Sequence, residues 1–203
     1  MKIRTATLKR KTTETDITVK INNIDGSGKT EIKTPVGLLN HMLELFAFHG
    51  FFDLDIDATG DFKKVDIHHT NEDVGIVLGQ AFKEALGDKK GIKRFGSAFV
   101  PMEEVLAHVT IDISGRGYYR LKTGKGVVAP EMKDGYVFND AEHFFDAFAK
   151  HLGMNLNIFV DPLDRDLHTT LEPIFKALGI ALDQATQIDP RRKGIPSTKG
   201  VID

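Results

Sequence analysis

Residues 41–49 read His41-Met-Leu-Glu-Leu-Phe-Ala-Phe-His49, and residues 143–151 read His143-Phe-Phe-Asp-Ala-Phe-Ala-Lys-His151. Each stretch begins and ends with histidine and has the apolar spacing of a helix. An alternating strand pattern follows each stretch, over residues 52–56 and residues 156–160. The same order of elements therefore occurs twice in the chain.

A second pair of similar motifs supports this duplication. His68-His-Thr-Asn-Glu72 follows the first strand and His168-Thr-Thr-Leu-Glu172 follows the second, so Glu172 lies 100 residues after Glu72. We predict two halves, approximately residues 1–95 and 96–190, each a small mixed sheet with helices. Because both halves have an apolar face to bury, we expect an α/β (α+β) fold in which they pack together as one domain over residues 1–203.

The N-terminal region predicts strands. Ile17, Val19 and Ile21 alternate with polar residues, and Asp25-Gly-Ser-Gly28 supplies turn residues before residues 30–34. This pattern indicates a β-hairpin. A helix then covers residues 36–49, and a later helix ends at Leu86, before Gly87.

Composition excludes several classes of protein. The 203 residues carry 27 Lys and Arg against 29 Asp and Glu, so no overall basic charge attracts nucleic acid or an anionic membrane. The chain has no cysteine, which excludes disulfides and thiolate ligands. No apolar run is long enough for a signal peptide or a membrane span, so we expect a cytoplasmic protein.

The helix start at His68 has the spacing of a metal site. Glu72 can converge with His68 and His69 near the helix start, and imidazole with carboxylate suits Mn, Fe, Zn or Co. A polar helix cap without a metal is the alternative for this motif alone. The partial copy at His168 and Glu172 favours metal binding, and His41 can join from its own helix. The pattern does not assign a role to His143, His151 or His108.

Candidate anion contacts lie elsewhere. Arg94 follows Lys93, Arg116 follows Gly115, and Ser197-Thr-Lys199 lies near the C-terminus. Arginine and a Ser/Lys pair suit a phosphate group. Taken singly, each of these residues is more typical of a solvated surface charge or, for the last stretch, of a frayed tail.

Ordered motifs along the whole chain resemble the imidazoleglycerol-phosphate dehydratase family. The matching segments are Arg4-Thr-Ala, Thr13-Glu-Thr15, His41-Met-Leu43, Gly60-Asp61, His68-His-Thr-Asn-Glu-Asp-Val-Gly75, Glu84-Ala-Leu-Gly-Asp88, Gly91-Ile-Lys-Arg-Phe-Gly96, Pro101-Met-Glu-Glu104, Asp112-Ile-Ser-Gly-Arg116, Phe175-Lys-Ala177 and Pro196-Ser-Thr-Lys-Gly200.

The resemblance implies a hydro-lyase that converts imidazoleglycerol phosphate to imidazole acetol phosphate in histidine biosynthesis. It implies two Mn²⁺ ions per site, bound to the imidazole of the substrate, while a carboxylate moves protons. It also implies a large cage-like homo-oligomer of about 24 subunits with active sites at subunit interfaces, and no nucleic-acid or membrane partner.

Individual residues match the family's functional positions. The metal positions are His41, His68, His69, Glu72, His168 and Glu172. The acid/base candidates are Glu14 and Glu172. The substrate contacts are His49, Arg94, Arg116, Ser197 and Lys199, and the last two belong to a predicted phosphate-contacting tail over residues 191–203.

Two positions depart from the family pattern. Asn157 and Thr169 stand where the family has metal-binding histidines, and neither amide nor hydroxyl replaces an imidazole for a transition metal. We therefore expect fewer or weaker metal ions. The alternatives are a catalytically silent cage that is structural or metal-binding and, with less support, a metallohydrolase that uses a bound water.

Overall fold

The computed structural model describes residues 3–124 and 129–202, so Asp203, the last residue of the predicted tail, lies outside it. Within these ranges the chain forms eight strands and four helices. They are β1 (Ala6–Lys11), β2 (Thr15–Asn23), β3 (Thr30–Lys33), α1 (Gly37–His49), β4 (Asp53–Gly60), α2 (His68–Leu86), β5 (Phe95–Met102), β6 (Val105–Asp112), β7 (Tyr118–Thr123), α3 (Phe138–Leu152), β8 (Asn155–Asp161) and α4 (Leu167–Thr186).

The described strands form two sheets of the same design. Their orders are β1-β2-β4-β3 and β5-β6-β8-β7, and in each sheet the last pair is parallel while the other pairs are antiparallel. Alternation explains the packing, because Ile17, Val19 and Ile21 are buried on one face of β2 and polar residues lie on the other. The predicted α+β fold with two similar halves is confirmed.

The predicted hairpin is wrong. The strand β3 does not pair with β2; it pairs in parallel with β4, in the register Ile32 opposite Ile56. Parallel pairing requires a crossover, and α1 provides it. The segment from Asp25 to Gly28 is therefore a turn between strands that are not neighbours.

The helices pair between the halves. Helix α1 of the first half packs on α4 of the second, and α2 packs on α3. Glycine permits the close approach: a Cβ at Gly75 would lie 2.8 Å from the Phe144 carbonyl oxygen, and one at Gly179 would lie 2.3 Å from the Phe46 carbonyl oxygen. Each helix pair therefore joins the two halves.

An aromatic cluster fills the space where these pairs meet. The ring of Phe46 lies 5.9 Å from those of Phe82 and Phe148, which are 5.8 Å from each other, and all three contacts are edge-to-face. All three side chains are buried. Full burial of one such side chain stabilises the fold by roughly 1.5–3 kcal/mol, so this cluster holds the helix pairs firmly.

Within the described residues, no helix combines the length and apolar character that crossing a bilayer requires.

Candidate functional site

Two histidines and a glutamate form a compact group, here called group A (His41, His168 and Glu172). His168 and Glu172 are one turn apart at the start of α4, and His168 Nε2 lies 2.6 Å from Glu172 Oε2. His41 comes from α1, with its Nε2 3.7 Å from the same oxygen and its ring centroid 5.0 Å from that of His168. One ligand atom from each residue lies within 4.8 Å of the others. Group A can hold a metal ion as it stands, with ligands from both halves.

The charge of Glu172 suits a cation. Burial acts to raise the pKa of its carboxyl, but hydrogen bonds from Lys176 and His168 outweigh burial and lower the pKa below its ordinary value. Glu172 is therefore ionised at neutral pH. His49 lies near the same group, and its pKa is lowered by burial and then by repulsion from Lys176.

Lys176 was missed as a candidate, although it lies four residues after Glu172 and so shares its helix face. The spacing of four residues could have indicated that Lys176 contacts Glu172.

A second group, here called group B (His68, Glu72 and His143), lies at the starts of α2 and α3. His68 Nε2 is 3.5 Å from Glu72 Oε2, and His68 Nδ1 is 3.1 Å from His143 Nδ1. The two rings are nearly perpendicular, with centroids 4.8 Å apart. Group B thus contains two predicted metal ligands and one histidine to which the sequence assigned no role.

The His69 ring lies 5.9 Å from that of His68, but its Nδ1 faces other residues. Neighbouring helical residues are about 100° apart, so His69 faces a third group, here called group C (Glu14, Asp61 and His69). Its Nδ1 lies 3.1 Å from Asp61 Oδ2 and 3.9 Å from Glu14 Oε2. The hydrogen bond to Asp61 raises the pKa of His69 above its ordinary value. The convergence of His69 with His68 and Glu72 on one ligand set is therefore not found within the chain.

Group C borders a groove of about 840 Å³. Glu14 and Asp61 line it, and its lysines are Lys11, Lys33, Lys63 and Lys64. Four carboxylates, those of Glu14, Asp16, Asp57 and Asp61, balance these four lysines, so the lining has no net charge.

Neither departure belongs to group A, although Thr169 directly follows His168. Thr169 is buried, and its hydroxyl donates to Asp166 Oδ2 at 3.3 Å. Asn157 is exposed on the face of β8 opposite the buried Leu156 and Ile158, in register with Thr110 and Arg120. The helix α4 packs on the buried face, so the Asn157 side chain does not approach group A of its own chain.

The candidate phosphate contacts come together. Arg94, Arg116, Ser197 and Lys199 all line one cavity of about 180 Å³. Arg94 donates to both carboxylate oxygens of Asp112, at 2.6 and 3.0 Å, and to the Pro196 carbonyl oxygen at 3.0 Å. Through the bond to Pro196, Arg94 also holds the C-terminal segment that contains Ser197 and Lys199.

This cavity and group A lie at opposite ends of α4. The Arg94 amide donates to the carbonyl oxygen of Ala185, near the C-terminal end of the helix, whereas His168 is at its start. Ala185 comes 17 residues after His168, which corresponds to about 25 Å at about 1.5 Å per residue. A small phosphate ester bound in the cavity cannot reach group A of the same chain.

Comparison with known proteins assigns the family. The family model for imidazoleglycerol-phosphate dehydratase matches residues 34–182. The chain belongs to the imidazoleglycerol-phosphate dehydratase family. The dehydratases of Pelobacter propionicus and Bacillus subtilis are each 51% identical to it, over 200 and 201 residues. Those alignments cover 98% of this chain and 99% and 100% of the relatives.

Solved structures agree. A crystal structure of IGPD from Pyrococcus furiosus, in complex with (S)-C348, has a TM-score of 0.79 and 36% identity, covering 96% of this chain and 99% of that one. The Staphylococcus aureus imidazoleglycerol-phosphate dehydratase has a TM-score of 0.75 and 34% identity, covering 91% and 99%. The predicted family, and with it the hydro-lyase class, is confirmed. The relatives' names favour the dehydratase over a silent assembly.

Proposed function

We propose that this chain removes water from imidazoleglycerol phosphate to give imidazole acetol phosphate in histidine biosynthesis. The observation that carries the proposal is group A, in which two imidazoles and an ionised carboxylate are already gathered in a chain of this family. Such a donor set leaves coordination positions for a substrate. A cytoplasmic location remains a prediction from the sequence.

The donor set suits Mn²⁺. His41, His168 and Glu172 would hold one ion, and His68 with Glu72 would contribute to a second. Bound there, Mn²⁺ supplies the Lewis acidity that stabilises negative charge on the substrate's imidazole nitrogen. Group A gathers three ligands and uses neither Asn157 nor Thr169, so we expect it to be the stronger of the two sites.

Proton transfer falls to Glu14 in this proposal. Glu172 is engaged by Lys176 and His168, which hold it in the ionised form that a ligand needs. The Glu14 side chain is 51% exposed and its carboxylate lies 3.9 Å from His69, so it can exchange protons with solvent. Of the two acid/base candidates, Glu14 is the proton carrier and Glu172 the ligand.

The substrate phosphate would bind Arg116, Ser197 and Lys199 in the tail cavity, while Arg94 holds the tail in place. Because the cavity is about 25 Å along α4 from group A, the two must come from different chains. This separation supports active sites at subunit interfaces in a large homo-oligomer. The expected cage of about 24 subunits is part of the same proposal.

A dehydratase assay with imidazoleglycerol phosphate and added Mn²⁺ tests this function. We expect turnover by the wild-type chain, its loss on chelation, and its loss in His41→Ala and Glu172→Gln, because each removes a group A ligand. His151→Ala is the matched control, since the His151 ring contacts the Ala147 carbonyl of its own helix, α3. That variant should keep wild-type turnover.

Three results would count against the proposal. Turnover that survives chelation would exclude a metal role, and full activity in His41→Ala would exclude group A. Phosphate release from generic esters without dehydration would favour the metallohydrolase. The double variant Asn157→His/Thr169→His tests the silent-scaffold alternative. If the wild type is inactive and the double variant is active, the wild type has lost activity through the loss of ligands at the second metal site.

A further inference from the structure

The two sheets carry cavities at equivalent places on their outer faces, which point away from the helices. The cavity of the first sheet is lined from β2, β3 and β4, and that of the second sheet from β6, β7 and β8. The strand registers match the two linings residue by residue. The corresponding pairs are Thr18 and His108, Lys20 and Thr110, Glu31 and Arg120, Lys33 and Lys122, Asp55 and Asn157, and Asp57 and Phe159. The first-sheet cavity is therefore an internal reference for the second-sheet cavity.

The two cavities have opposite charge. The first-sheet cavity has three carboxylates against two lysines, and its Lys33 Nζ donates to Glu31 Oε1 at 2.6 Å. The second-sheet cavity is lined by Arg120 and Lys122, and by no carboxylate among the described residues. Between the halves, an acidic lining that pairs with its own lysine is thus exchanged for a cationic one.

The cations of the second-sheet cavity are not neutralised within the chain. Over residues 3–124 and 129–202, the side chains of Arg120 and Lys122 form no hydrogen bond or ion pair. Thr110 and Asn157 border the same cavity and add a hydroxyl and an amide that can donate. The ring of Phe159 stands where the first sheet has a carboxylate. Two cations gathered with neutral donors are the arrangement that binds a phosphate group.

The second-sheet cavity is a neighbour of the tail cavity but shares no lining residue with it. Thr110 lies two residues before Asp112, the carboxylate that Arg94 binds, on the same face of β6. Two residues of a strand span about 7 Å. The volume is about 140 Å³, against about 180 Å³ for the tail cavity. Two cavities of similar size and charge preference therefore lie close together.

We propose that the second-sheet cavity is a second oxyanion site, which binds the phosphate group of a small molecule through Arg120 and Lys122. The guanidinium can donate two parallel hydrogen bonds to one phosphate, and the ammonium adds a point charge. This inference goes beyond the proposed function, which places the substrate phosphate in the tail cavity. It also gives Asn157 a purpose, because a cationic lining repels a metal ion and an amide can donate to an anion.

Binding of inorganic phosphate to the full chain tests this site. Equilibrium dialysis with radioactive phosphate is run without metal or substrate, and at low salt because salt screens exposed charges. We expect two phosphate ions per wild-type chain. We expect one in Arg116→Ala/Lys199→Ala, here called the tail variant, because it loses the tail cavity. Adding Arg120→Gln/Lys122→Gln to the tail variant should weaken the remaining binding about 10-fold or more, because it removes charge-assisted hydrogen bonds.

Two further variants control for charge and place. Arg120→Lys keeps the charge, so in the tail variant it should retain most of the remaining binding. Lys20→Gln removes a cation from the equivalent cavity of the first sheet and should leave that binding unchanged. Arg120 and Lys122 are exposed, so their substitution should preserve the fold, which thermal unfolding of each variant checks.

The outcomes are distinct from those of the dehydratase assay, because no turnover is measured. If the tail variant binds no phosphate, or binds it equally well after Arg120→Gln/Lys122→Gln, the second site does not exist. If Lys20→Gln weakens the binding as much, general surface charge is responsible and the proposal is wrong. If the tail variant binds none and Arg120→Gln/Lys122→Gln yields smaller oligomers on gel filtration, a carboxylate of a second copy occupies the cavity instead. Each of these failures leaves the proposed dehydratase function standing.

Discussion

Two inactive variants, one altered in group A and the other in the phosphate cavity, should restore dehydratase activity when they assemble together. One variant, His168→Ala, damages group A and keeps the tail cavity. The other, Arg116→Ala/Lys199→Ala, damages the cavity and keeps group A. Each alone should be inactive in dehydration. Co-expressed with different tags and purified through both, they should form mixed oligomers that regain activity.

The magnitude follows from the separation along α4. Each active site would draw group A from one chain and the phosphate cavity from another, because about 25 Å of helix separates them within a chain. In a random equal mixture, half of the sites receive an intact group A and half of those receive an intact cavity. About a quarter of the sites are therefore wild type, and we expect about a quarter of wild-type turnover.

Matched mixtures make the result decisive. Co-expression of His168→Ala with Glu172→Gln should give no recovery, because both lesions lie in group A. Arg116→Ala with Lys199→Ala should likewise remain inactive, because both lie in the cavity. Turnover is measured at saturating Mn²⁺ with imidazoleglycerol phosphate. If the mixture of separate lesions is no more active than its parents, group A and the cavity do not meet across a subunit interface, and the reasoning from α4 fails.

Three further predictions concern stability, each measured by thermal unfolding. Because His69 has a raised pKa in the fold, its bond to Asp61 stabilises the protein fully below about pH 6.5 and this stabilisation is lost as pH rises through the folded pKa. The gap in Tm between wild type and Asp61→Asn should therefore shrink from pH 5.5 upward to about pH 8.5, and a gap that widens would contradict the assignment. Gly79→Leu places a Cβ 2.7 Å from the Phe148 carbonyl oxygen and should lower the free energy of unfolding by about 1–3 kcal/mol or more. Tm should fall by about 2–4 °C per kcal/mol. Gly37→Ala is the control and should leave Tm unchanged, because a Cβ there has no neighbour within 4 Å. Tyr136→Phe leaves a buried amide acceptor without its 2.8 Å donor, so a loss of about 1–3 kcal/mol is expected and an unchanged Tm would refute it.

The helices and the duplication were predictable because they depend on local patterns. Apolar spacing placed α1 within a residue of its start at Gly37, and the repeated His-to-Glu motifs identified both α2 and α4. Strand partners depend on distant residues, so the turn at residues 25–28 gave a wrong hairpin.

The candidate site was predictable in its residues but not in its grouping. The sequence proposed His41, His168 and Glu172, and the structure brings them together. The sequence gave no sign that His143 lies against His68, because this contact depends on how α2 and α3 pack. Nor did it indicate that His69 contacts Asp61, because that contact depends on where the loop after β4 lies. The changes at Asn157 and Thr169 are close in sequence, yet one side chain lies on an exposed sheet face and the other is buried beside Asp166.

The packing of helices from one half against helices of the other bears on the origin of the chain. A half-length ancestor would have exposed the helix face that now packs on the other half, and it would have carried an incomplete ligand group. Two such copies, related by a twofold axis, would have completed each other. The present chain is in effect that dimer with its subunits covalently fused through residues 87–94. Fusion ended the requirement that both copies be identical, so His41 can lie in a three-residue group while His143, at the equivalent position, lies against His68.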